Sequence, residues 1–167
     1  MKRLRWLFVC ALWSLASTSA HALTPAAALS HVSDVGAKQA VLDYYETPQW
    51  DHVVRGIASG DSDWLKVYTA LREAADAGAG EDLGDAIYAA VPKLPFNVLP
   101  LLVESTGRTA RQLCTFTFES RLPEGGIGAY LDRLDRSLAQ ASTGEQRKIA
   151  TACRQGIEVT RRQFEGK

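Results

Sequence analysis

The chain has 167 residues, of which 46% are apolar and 23% charged, with 19 basic side chains against 19 acidic ones. That composition belongs to an ordinary globular chain and excludes a disordered one. The neutral total hides an uneven distribution: residues 34–85 carry 11 acids and 4 bases, residues 93–167 carry 12 bases and 8 acids. A dipolar chain of this kind steers a charged partner toward one end, whereas Arg108, Arg111, Arg121 and Arg133 scattered among acids argue against nucleic acid.

Residues 1–22 read as a secretory signal peptide. Lys2, Arg3 and Arg5 form a basic start, an apolar run extends from Trp6 to Ala16, and Ala20-His21-Ala22 supplies the small residues of a cleavage site. The run is well short of the roughly 20 residues that span a bilayer, so no stable membrane insertion is expected after cleavage. Phe8 and Val9 before Cys10 argue against lipid attachment there. Cutting after Ala22 leaves residues 23–167 as a single domain in the periplasm or outside the cell. Two cysteines remain, Cys114 and Cys153. An even count in an oxidising compartment predicts one disulfide, stabilising the fold by roughly 4 kcal/mol through closure of a long loop.

Residues 23–32 are Ala-rich and follow the new terminus, so they are expected to form a poorly ordered lead-in that leaves His31 in solvent. Ser33 then caps a helix holding Val35, Val41, Leu42 and Tyr45. Thr47-Pro48 reads as an N-cap and a first helical proline. Trp50, Val53, Val54 and Ile57 follow at i, i+3, i+4, i+7, and Gly60 supplies a left-handed stop. Asp61 or Ser62 caps the next helix, whose Trp64, Val67, Tyr68 and Leu71 repeat that spacing. Two such helices joined by so few residues predict an antiparallel hairpin over residues 47–76, with Trp50 against Trp64.

A helix over residues 80–91 turns Leu83, Ala86, Ile87 and Ala90 inward. Pro95 starts a short helix and Pro100 ends or kinks it, giving a second hairpin over residues 80–103. A compact helical bundle and a short stack of αα-hairpins both satisfy this pattern. The segment 104–127 is the least regular. It combines a helical turn at residues 109–114, an extended stretch at residues 115–118 that packs Phe116 and Phe118 on the helices, and a loop at Pro123 to Gly126. Two longer helices close the chain. One aligns Ile127, Tyr130, Leu131, Leu134 and Leu138. The other is capped at Ser142 or Thr143 and carries Ile149, Cys153, Ile157 and Phe164 inward. The fold class is all-α.

Catalytic motifs are scarce. The sequence holds no G-x-S-x-G elbow, no H-E-x-x-H helix and no paired C-x-x-C. After the leader only His31 and His52 could serve a nucleophile, and His52 reads as a surface or half-buried structural residue. Asp61-Ser62-Asp63-Trp64 lacks the pattern of a calcium loop. The glycine clusters at residues 78–84 and 125–128 follow no strand and so are not phosphate loops. No metal and no cofactor are expected.

The carboxylates Asp61, Asp63, Glu81, Asp82 and Asp85 stand at helix starts, where they cap N–H groups and oppose the macrodipole. Together with Trp50 and Tyr68 they also form an acidic, aromatic-bearing half that suits a basic protein partner. Those seven residues are the expected binding surface.

The Ser59-Gly60-Asp61 turn, Trp64-Leu65, Asp76-Ala77-Gly78 and the stretch from Pro95 to Leu102 resemble small exported helical proteins of proteobacteria that have no established role. The resemblance covers about a third of residues 23–167, implies an all-helical fold and transfers no catalytic residue. The expected function is an exported, non-enzymatic protein-binding module, most concretely an inhibitor or immunity protein against a periplasmic toxin such as a basic secreted enzyme. The alternatives are a periplasmic scaffold or chaperone of an envelope complex, and a cell-wall hydrolase using carboxylates such as Glu81 or Asp85.

Overall fold

Glycines and caps divide the chain into short helices, and each helix buries one stripe. The computed structural model describes residues 23–118 and 122–165, so the expected signal peptide at residues 1–22 and Arg121 lie outside the described residues. Among the described residues there are nine helices and no strand. They are α1 (Pro25–Val35), α2 (Ala37–Tyr44), α3 (Pro48–Ser59), α4 (Ser62–Leu71), α5 (Ala77–Ala90), α6 (Pro95–Thr106), α7 (Ala110–Leu113), α8 (Gly126–Leu138) and α9 (Gly144–Glu165). The all-α class is as the sequence indicates. No helix among the described residues is long and apolar enough to cross a membrane.

The expected loose lead-in is instead a helix. Thr24 accepts a hydrogen bond from the Ala27 amide at 3.2 Å, Pro25 occupies the first turn, and Ala28 is fully buried. Gly36, at φ 83°, then breaks the chain, so Ser33 caps nothing and α2 takes its own phase. Ala40, Val41 and Tyr44 go inward, while Leu42 is 63% exposed. A stripe read across the Gly36 break places Val35 and Leu42 inside, and both are exposed, whereas Tyr45 is half-buried against the core as expected.

From α3 onward the sequence pattern holds closely. Pro48 opens α3, Trp50, Val53 and Ile57 are buried, and Gly60 closes the helix in the left-handed region at φ 79°. Asp61 caps α4 by accepting from the amides of Asp63 (2.9 Å) and Trp64 (3.3 Å). The two tryptophans do not meet. Trp64 lies flat over Gly56, where a Cβ would collide with the indole, and Trp50 stands edge-on to Tyr45 at 5.5 Å. Although α3 touches α4, its most extensive contact is with α5, and α4 leans chiefly on α1. The helices therefore interleave as a compact bundle, not as a stack of separate hairpins. Nor does Pro100 end α6, which continues to Thr106; the ring sits on the exposed side, where the lost N–H is tolerated.

The predicted disulfide is present, joining Cys114 to Cys153 with Cα atoms 5.1 Å apart. It ties the end of α7 to the middle of α9. Gly156 lies one turn beyond Cys153, and a Cβ there would strike the Arg111 carbonyl and the Cys114 backbone. Thr160, the next turn on, is fully buried; its hydroxyl accepts from the Phe116 amide at 2.9 Å and can donate to the Gly156 or Cys114 carbonyl. Thus Cys153, Gly156 and Thr160 form one α9 stripe that holds residues 114–116 in place.

A tightly packed glycine and an open one respond oppositely to a methyl group. Gly156→Ala should lower stability by about 1–3 kcal/mol, because the methyl overpacks a backbone carbonyl. Gly84→Ala, in α5 with open space around it, should raise stability by up to about 1 kcal/mol through helix propensity. Urea unfolding of both variants checks the pair, and effects of the same sign would contradict the packing described.

A candidate binding cleft between α5 and α8

The two faces of α5 differ sharply. Ala79, Leu83, Ala86, Ile87 and Ala90 fill the core. Glu81, Gly84, Asp85, Tyr88 and Ala89, at i, i+3, i+4, i+7 and i+8, line an open cleft of about 950 Å3. Tyr130 and Arg133 of α8 line it as well, together with Leu113 and the stretch 115–118. Hydrogen bonds clip the walls together: the Tyr130 hydroxyl donates to the Tyr88 carbonyl at 2.8 Å, and the Ser137 hydroxyl to the Pro92 carbonyl at 2.6 Å.

Aromatic rings form the floor. Phe116 stacks on Phe118 with centroids 5.3 Å apart and meets Tyr130 edge-on at 5.1 Å and Tyr88 at 6.2 Å. Phe118 adopts φ 48°, a conformation that a bulky residue holds only when its surroundings fix it. The extended reading of residues 115–118 is therefore right in placing both rings on the helices, with a left-handed residue at its end. At the mouth, Tyr88 is 40% exposed and Leu122 65%. Tyr130 is buried, and desolvation holds its phenol protonated far above the ordinary tyrosine range, with the nearby Tyr88 adding to this and Arg133 opposing it.

Three cations line the cleft without a carboxylate partner among the described residues. Lys93 donates to the Ala58 carbonyl at 2.6 Å, Arg108 to the Gln112 carbonyl at 3.0 Å, and Arg133 to the Glu124 carbonyl at 2.9 Å. Elsewhere basic groups sit on acids: Lys66 on Asp63, Arg154 on Asp135, Arg161 on Asp132.

The seven residues expected to share one surface are separated. Trp50 is only 4% exposed and its indole N–H donates to Asp82 at 2.9 Å, so both serve the α3–α5 contact. Tyr68 is buried, which raises its phenol pKa; it borders a second, smaller pocket of about 310 Å3 together with Arg72, Leu83 and Gly84. Asp61 caps α4, and Asp63 pairs with Lys66 at 2.7 Å. Only Glu81 and Asp85 reach the cleft. Sequence reasoning missed Tyr88, Arg108 and Arg133, although the polar, glycine-bearing outer stripe of α5 was visible as a helical period. His31 also differs from expectation: its Nε2 lies 2.8 Å from Asp43 Oδ2 and its ring leans on Tyr44. Gln39 and then His31 hold the Asp43 carboxyl below its usual range. His52 is half-buried, as read. No cluster of three metal-ligating side chains occurs among the described residues.

Comparison of the chain with protein-family models, with curated proteins and with solved structures gave no match.

The buried phenol carries a definite pH signature. Its folded pKa is raised, so the unfolded chain surrenders that proton first. The stabilisation is complete below the ordinary tyrosine value of 10.0 and falls as pH climbs past it. Tyr130→Phe should flatten the loss of stability above about pH 10, read from urea midpoints across the alkaline range. A slope identical to that of the wild type would contradict the assignment.

Proposed function

We propose that this is an exported, non-enzymatic binding protein that holds a segment of a partner polypeptide in the cleft between α5 and α8. One observation carries the reading: a half-exposed Tyr88 stands over buried Phe116 and Tyr130, in a concavity assembled from distant parts of the chain. Aromatic side chains supply most of the energy in protein recognition, and a rigid floor spares the cost of ordering it on binding. The disulfide fits an oxidising compartment, as the leader requires.

The inhibitor form of this reading relied on Trp50 and Tyr68 as anchors, and both are core residues. Its remaining support is charge, from exposed Asp61, Asp63 and Glu81. The scaffold or chaperone form needs an apolar groove between helices, and the cleft favours it. A hydrolase would place two carboxylates on either side of a scissile bond. Glu81 and Asp85 share one helix face, and Glu124, the third carboxylate residue of the lining, lies in the loop before α8 with its carbonyl on Arg133.

A photo-crosslinking amino acid at position 88, used in the cell of origin, would identify the partner. Gly84→Trp, which fills the cleft, should cut the crosslinked yield by roughly tenfold, equivalent to ~1.4 kcal/mol. Asp61→Asn with Asp63→Asn should leave it unchanged, since Asn caps as well as Asp. The reverse pattern would move the binding surface to the start of α4 and favour the inhibitor form. Absence of any crosslinked polypeptide would overturn the reading.

A further inference from the structure

Resting on the cleft as the binding surface, we infer that oxidation assembles it: the dithiol chain folds its α1–α5 bundle without the aromatic floor, and the Cys114–Cys153 bond completes the cleft. The bond is placed to act on the floor alone. Cys114 directly precedes the stretch 115–118 that carries Phe116 and Phe118, and Cys153 stands in the middle of α9. Neither residue belongs to the bundle, where α3 packs on α5 and α4, and α1 on α4 and α2. The wall contacts from Tyr130 to the Tyr88 carbonyl and from Ser137 to the Pro92 carbonyl bypass the bond as well.

Little else fastens the floor to α9. The hydrogen bonds to Phe116 and Cys114 both run through the single hydroxyl of Thr160, and Phe118 is held at φ 48° against the preference of a bulky residue. With the sulfurs apart, a loop spanning 39 positions is free to open, and the entropy it regains opposes seating. Burial sets the direction of the step. Both cysteines are fully buried, and thiol–disulfide exchange needs a thiolate to reach a sulfur. The bond therefore forms while residues 114–118 are loose, and seating them shields it. Each thiol gives up one proton and one electron as the S–S bond forms. Those two protons and two electrons convert the disulfide of an oxidant, a protein disulfide in an oxidising compartment or glutathione disulfide in a tube, into two thiols. This is a one-way assembly step, and a chain still in a reducing compartment has no finished cleft.

The test compares the oxidised protein with the wild type refolded under reductant and with the double variant Cys114→Ala, Cys153→Ala. Amide NMR of both thiol-reduced and double-variant chains should keep the buried Val53 of α3 and Val67 of α4 at their oxidised positions. Phe116 and Phe118 should move to unfolded positions, and protection of the Phe116 amide from exchange should fall at least about tenfold. Glutathione disulfide should restore the wild-type spectrum and leave that of the double variant unchanged. In the cell of origin, the double variant should lose the crosslink made from position 88. Native Phe116 and Phe118 signals in the dithiol wild type would overturn the inference. Loss of the Val53 and Val67 signals along with them would overturn it too, by making the bond a support of the whole fold. Spectra as expected, with no crosslinked polypeptide from the oxidised form, would uphold the assembly step and count against the partner.

Discussion

Everything distinctive about the molecule depends on how residues 114–118 are held against α9. A four-residue helix followed by non-helical chain has too few internal hydrogen bonds to persist alone. Three successive turns of α9 supply what is missing: a covalent bond at Cys153, the absence of a side chain at Gly156, and a buried hydroxyl at Thr160 that accepts the Phe116 amide. Each works only because the others do. Without glycine the helices would stand apart, and without the threonine a buried amide would lack a partner, at about 1–3 kcal/mol. The result is a rigid seat for Phe116 and Phe118 in a part of the chain that would otherwise be loop.

That seat explains the position of the cleft. The bundle proper packs α3 against α5 and α4 against α1, and leaves the outer stripe of α5 uncovered. α8 approaches this stripe but stays at arm's length, meeting the end of α5 through Tyr130 and Ser137. The floor between the two helices is then the aromatic segment fixed by α9. Apolar rings thus face a concavity instead of a core, with charged residues of both signs, among them Glu81, Asp85, Glu124 and Arg133, in its lining.

Most helices were legible in the sequence because their signals are local. Thr47-Pro48, Gly60 and Asp61, together with the apolar spacings of α3, α4, α5, α8 and α9, each act within one or two turns. The failures involve competition between local signals or action at a distance. A proline near a new terminus suggested disorder, but Thr24 and Pro25 start a helix whose Ala28 packs into the bundle. The candidate site suffered more. Trp50, Asp82 and Tyr68 look like recognition residues by type, yet an indole N–H needs an acceptor when buried, and Asp82 supplies it from 32 positions away. The cleft unites α5 with residues some 25 to 50 positions later, which no periodicity encodes. The disulfide, inferred from an even cysteine count, and the seating of Phe116 and Phe118 on the helices were long-range placements read correctly.

Gly84 stands on the ridge between two hollows, bordering both the aromatic cleft and the smaller pocket beside Tyr68 and Arg72. Its missing side chain costs α5 roughly 1 kcal/mol of helix propensity, and it deepens both hollows at once. Any bulk acquired at that position in a lineage would firm the helix while shrinking two concavities together. At this one position helix stability and the depth of both hollows therefore change together.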